Sequence, residues 1–151
     1  FSPSCYNTHM IRQDYIIRLI EHFGVLWARL VEQLRGGELH PARLTIDYAY
    51  LQLFGLTPSA VASLSAGELL ARLHIGVTPE AGREQCLILC TLLHAEGDLA
   101  LDQQQFDQAT SAYRKALDIL RVLEYRQPNT PLPEYAPTIA ELEEALIQAQ
   151  T

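Results

Sequence analysis

The stretch GDLALDQQQFDQATSAYRKALDIL, Gly97 to Leu120, decides the fold. Past the polar break at Asp102–Gln105, its residues Phe106, Ala109, Tyr113, Ala116, Leu117 and Leu120 fall on one side of a helix. Small residues on an inner face let a second helix come close, and aromatic residues fill the space beside it. The pattern therefore predicts two helices folded against each other. Ala109 and Ala116 mark the close approach, and Phe106 and Tyr113 are expected to fill the gap.

Upstream, CLILCTLLHA (Cys86–Ala95) is apolar nearly all round, as a helix at the centre of a bundle is. Thr78-Pro79 caps it, with Glu80 and Glu84 in the early turns, where acids suit the helix dipole. Before it, Ser65–Glu68 reads as a capping box and Thr57-Pro58 as the start of a short helix. A helix from about Pro41 to Phe54 ends at Gly55. Helix one runs from about Ile11 to Arg35. Its Ile16, Ile20, Phe23, Trp27, Leu30 and Leu34 form a seam stepping by four and three. Downstream, RQPNTPLPEYAPT is too rich in proline for a helix and reads as an extended connector over 127–137. Thr138 and Glu141 then make a second capping box, opening an amphipathic helix over 138–151 that packs on the same domain. No stretch reads as a strand, so the expected class is all-α, with one helical domain over 10–126. Residues 1–9 show no helical pattern and are expected to be a cloning remnant or a disordered tail.

Composition narrows the function. The 151 residues are 48% hydrophobic and 19% charged, which is a globular balance. Net charge is −7, and residues 97–151 hold nine acids against four bases. The basic footprint of a nucleic-acid binder is missing, and an anionic membrane surface is disfavoured for the same reason. No long apolar run or leader pattern is visible, and three cysteines make no disulfide framework, so a cytoplasmic protein is expected.

Two resemblances follow. With Phe106 opening the second helix, Leu93, Gly97, Ala109, Tyr113 and Ala116 stand at the offsets of a tetratricopeptide repeat, which the hairpin resembles. Glu96, Ala100, Gln104 and Arg121 depart from that pattern. Ala42, Ile46 and Ala49 repeat the spacing of Ala109, Tyr113 and Ala116, so two hairpins around a helical insert at 57–75 are expected. The order of MIRQDYIIRLIEHF (Met10–Phe23), LFGL (Leu53–Leu56), SLSAGELLARL (Ser63–Leu73) and LHAEGD (Leu93–Asp98) also resembles a family of small bacterial helical proteins. That resemblance implies a tetratricopeptide-like fold and carries no catalytic residue.

Few residues carry chemistry. Cys86, Cys90 and His94 lie four apart and drift about 40° per step along one helix face. Thiolates and an imidazole could hold zinc or copper, but two cysteines in a buried helix are first of all small hydrophobes. Asp14 and Arg18 have the spacing of a helix ion pair. His22 reads as a surface residue, and Tyr48 and Tyr50 point to different faces of their helix. Gly36-Gly37 ends a helix and lacks the Lys-Ser/Thr of a phosphate loop.

The expected function is therefore a non-enzymatic helical interaction module without cofactor. It would bind a protein or peptide partner of basic character, lined by Leu93, Gly97 and Ala100. The alternatives are a self-associating homodimer and a small metal- or ligand-dependent enzyme working through Cys86, Cys90 and His94.

Overall fold

A computed structural model describes the backbone of residues 3–151 and the side chains from Asp14 onward. The described residues are all-α: α1 (Pro3–Arg35), α2 (Leu39–Phe54), α3 (Pro58–Ser63), α4 (Ala66–His74), α5 (Pro79–Asp102), α6 (Phe106–Arg126) and α7 (Ile139–Gln150). No strand occurs among them.

The apolar run predicts the centre correctly. From Cys86 to Leu93 every residue of α5 is buried, because α5 has neighbours on every side: α1, α2, α4 and α6 all pack against it. Sequence punctuation sets most helix ends. Thr57, Thr78 and Thr138 cap α3, α5 and α7 by accepting from the backbone three residues on, and Ser65–Glu68 closes a complete capping box on α4. Gly55 ends α2 in the left-handed region, which glycine enters without steric cost.

The α5–α6 pair is antiparallel. Arg83 reaches Leu123, Cys90 reaches Ala116 and Gly97 meets Tyr113, so positions descend on one helix as they rise on the other. Ala109 and Ala116 are fully buried. A Cβ placed on Gly97 would come within 2.3 Å of the Tyr113 ring. The pattern failed at Phe106, which is 52% exposed. It is the first residue of α6.

Helix one ends at Arg35 as read and differs from its reading at its start. It begins at Pro3, well before Ile11, since proline suits a first turn and no glycine or further proline follows before Gly24. Most of what was expected of residues 1–9 and of the opening motif through Gln13 lies outside the described side chains. Ile20 is 39% exposed, so the buried seam starts at Leu19 and Phe23. α2 begins at Leu39 without a side-chain cap. At α7, Thr138 accepts from the Glu141 N–H, while the reciprocal half of the expected capping box is missing. α7 packs on α6 through Leu142 and Ala149.

Candidate functional site

The connector helps to form a broad concavity. It crosses back over α1 and α5, where Tyr135 stacks obliquely on Phe23 at 4.9 Å and donates its hydroxyl to Glu84 at 2.8 Å. Ala136 and Pro137 are buried beside it. Two attachments, one apolar and one polar, fix a segment that has no backbone ladder of its own.

Between this strap and the helices lies a cleft of about 490 Å³. α1 supplies Trp27, Val31 and Arg35, and α5 supplies His94 and Asp98. The strap adds Glu134, and α7 adds Glu141, whose carboxylate is free of capping duty. The floor is apolar and aromatic. The polar wall carries three carboxylates against one guanidinium. His94 sits between the two kinds of surface, with Nε2 3.9 Å from the Asp98 carboxylate and its ring 6.0 Å from Tyr113. The Tyr113 hydroxyl donates to the other Asp98 oxygen, which fixes that carboxylate.

The residues singled out from the sequence lie elsewhere or do other work. Leu93 and Ala100 are 1% and 3% exposed, and Gly97 lies under Tyr113. All three are buried in the core, Gly97 against Tyr113 of α6, and so present no open groove to a partner. Asp14 and Arg18 are exposed, and among the described residues they form no ion pair with each other. Among the described residues the ion pairs are Arg43 with Asp47 and Glu96, His94 with Asp98, and Arg121 with Glu143. Tyr50 is buried and Tyr48 exposed, on different faces as their spacing implies.

Cys86, Cys90 and His94 share a face without converging. The Cys86 thiol lies 3.8 Å from His74 Nδ1, the Cys90 thiol donates to the Ala116 carbonyl at 3.4 Å, and His94 turns to the cleft. Among the described residues no group of three His, Cys, Asp or Glu side chains is placed to hold a metal ion. Burial pushes the Cys86 thiol up to about 12, with the Arg126 charge opposing it, and burial also raises Cys90 well above its ordinary value. Burial thus keeps both as thiols at neutral pH.

Spacing did not disclose the cleft because its wall comes from the connector and the ends of three helices. The one local signal was PEYAPT (Pro133–Thr138), where an aromatic residue and an acid sit inside a proline-rich segment that must run over the surface. Family models, curated proteins and solved structures were compared with the chain, and none matches it. Among the described residues no helix is long and apolar enough to cross a membrane.

Proposed function

We propose that the protein is a helical interaction module that holds a basic segment of a protein partner in the cleft beneath the connector. The carrying observation is the composition of that cleft. Asp98, Glu134 and Glu141 face a floor containing Trp27, with Arg35 the one guanidinium. A lysine or arginine side chain can lay its aliphatic stem or cation on the indole and offer its charge to the carboxylates. The acidic C-terminal part of the chain extends the same preference over a longer approach. A tetratricopeptide-like stacking of hairpins suits this reading, since such stacks present partner-binding concavities.

Trp27 is the only tryptophan, so its emission reports the cleft directly. Titration with an arginine- and lysine-rich peptide should change that emission saturably, and salt should weaken the effect. Glu134→Gln with Glu141→Gln should reduce affinity by about tenfold or more, given the usual worth of a charge-assisted hydrogen bond. No change in emission, or an equal response to an acidic peptide, rejects the reading.

One observation favours self-association as a second reading. Leu44, Tyr48 and Leu51 are 55%, 47% and 49% exposed and follow one another by four and three along α2. That apolar stripe matches what a second copy would cover. Sedimentation showing a strict monomer at high concentration removes this reading and leaves the first intact.

A further inference from the structure

A second concavity lies at the other end of α5, roughly 16 Å along the helix from His94, at 1.5 Å per residue. It is a pocket of about 110 Å³ between the end of α4, the first turns of α5 and the end of α6. Its walls are His74, Pro79, Arg83, Leu123, Arg126 and Gln127. Every ionisable group in that set is a cation or can become one.

Arg83 is the unusual member. It is only 8% exposed, and its Nη1 donates to the Leu123 carbonyl at 3.4 Å. Its Nη2 is buried and has no hydrogen-bond partner among the described residues. A guanidinium stays charged in any environment a protein offers, so it cannot escape burial by losing its proton. A buried charge is costly unless an opposite charge meets it. Among the described residues no carboxylate comes within ion-pair distance of Arg83. Neither Arg83 nor Arg126 takes part in any of the ion pairs named above, and residues 1–13 contain no Asp or Glu.

The carbonyls that end α6 could have been the partners of both arginines, since cations suit a helix C-terminus. They account for Nη1 and leave Nη2 unmet. Arg126 adds a second positive charge, felt as far as the Cys86 thiol. His74 forms another wall. Its Nδ1 is held by the Leu70 carbonyl at 2.8 Å, and its ring lies so close on Gly82 that no Cβ would fit there. A single water needs about 10–15 Å³ of comparable space, so the pocket has room for a four-oxygen anion and none for a nucleotide.

We propose that this pocket binds one oxyanion group, a phosphate or a carboxylate, between the guanidinium groups of Arg83 and Arg126. The planar fork of arginine suits both groups, which can accept two parallel N–H bonds. The inference is independent of the cleft, since the two concavities share no residue.

Calorimetric titration and thermal unfolding of the full chain, with inorganic phosphate and with acetate at constant ionic strength set by chloride, test it. Saturable one-to-one binding with a rise in Tm is expected, and the tighter of the two probes identifies the group. Arg126→Gln changes an exposed residue and should fold. It should weaken binding by about tenfold or more. Arg83→Lys keeps the charge, loses the fork and should also weaken binding. Arg114→Gln, exposed elsewhere on α6, should leave it unchanged. Failure of both anions to bind saturably, or equal affinity in wild type and Arg126→Gln, overturns the proposal.

Discussion

Gly97 lies beneath the ring of Tyr113, so close that a Cβ there would stand 2.3 Å from Cε1 and 2.6 Å from Cδ1. The ring cannot give way easily. It is buried, and its hydroxyl is held by Asp98, one residue further along the same helix as Gly97. Gly97→Ala should therefore destabilise by about 1–3 kcal/mol through overpacking, even though alanine is the better helix former by about 1 kcal/mol. Urea unfolding measures this. A neutral or stabilising substitution would mean that the helices are not held at this separation.

The same pair of helices makes a contrast between two aromatic residues. Phe106 is 52% exposed, whereas Tyr113 is 1% exposed. Phe106→Ala should change stability by no more than about 1 kcal/mol, within the range of surface substitutions. Tyr113→Ala should cost about 3–5 kcal/mol, as for other buried aromatic residues. Equal losses at the two positions would show that Phe106 packs as the spacing implied.

Glu96 gathers two donors on one oxygen, the Tyr50 hydroxyl and Arg43 Nη2, each at 2.9 Å. Tyr50 is fully buried, so Glu96→Ala leaves a phenol without an acceptor, at about 1–3 kcal/mol. Tyr50→Phe removes the donor as well as the need for it and should cost less. In a double-mutant cycle the two losses should fall short of additivity by about 1 kcal/mol. Strict additivity would show that the bond contributes nothing.

These contacts mark how far the sequence could be read. The all-α class, the buried course of α5 and most helix caps follow from local chemistry: an apolar run, Thr-Pro and Ser-x-x-Glu signals, and a glycine past a helix end. Glu96 looked like a departure from a repeat pattern, and only the fold shows that it serves Tyr50 and Arg43 on α2. The cleft was illegible because Trp27, Asp98, Glu134 and Glu141 meet through tertiary packing and share no spacing. Arg83 was closer to legible. It precedes Cys86 by three and Cys90 by seven, so it shares their buried face, where an arginine requires a reason.

The buried thiols predict an alkaline loss of stability. Burial lifts Cys86 from 9.0 to about 12, against the pull of Arg126, and Cys90 is raised by burial and then by its neighbour Cys86. In the unfolded chain these thiols ionise first, so the folded state binds more protons above pH 9. The Cys86 contribution is complete below pH 9 and is lost as pH rises through the window from 9 to about 12, and that of Cys90 falls in the same direction. Each thiol adds a slope of at most about 1.4 kcal/mol per pH unit. Urea midpoints should fall across that window, less steeply in Cys86→Ala. A flat profile would contradict the burial of both groups.

Tyr135 separates two ways of holding the strap that roofs the cleft. Its ring meets Phe23 at 4.9 Å, and its hydroxyl donates to Glu84 at 2.8 Å. Tyr135→Phe keeps the aromatic contact and loses one hydrogen bond, worth about 1 kcal/mol. Tyr135→Ala loses both, at about 1–3 kcal/mol for a half-buried residue. If the ring is the main attachment, Tyr135→Ala should shift Trp27 emission to the red and weaken binding of the basic peptide, while Tyr135→Phe leaves both near wild type. Since Phe23 also stacks on Trp27 at 5.7 Å, the fluorophore lies one ring away from the contact being cut. Equal effects of Phe and Ala would place the attachment at Glu84, and Glu84→Gln should then reproduce them with the ring still in place.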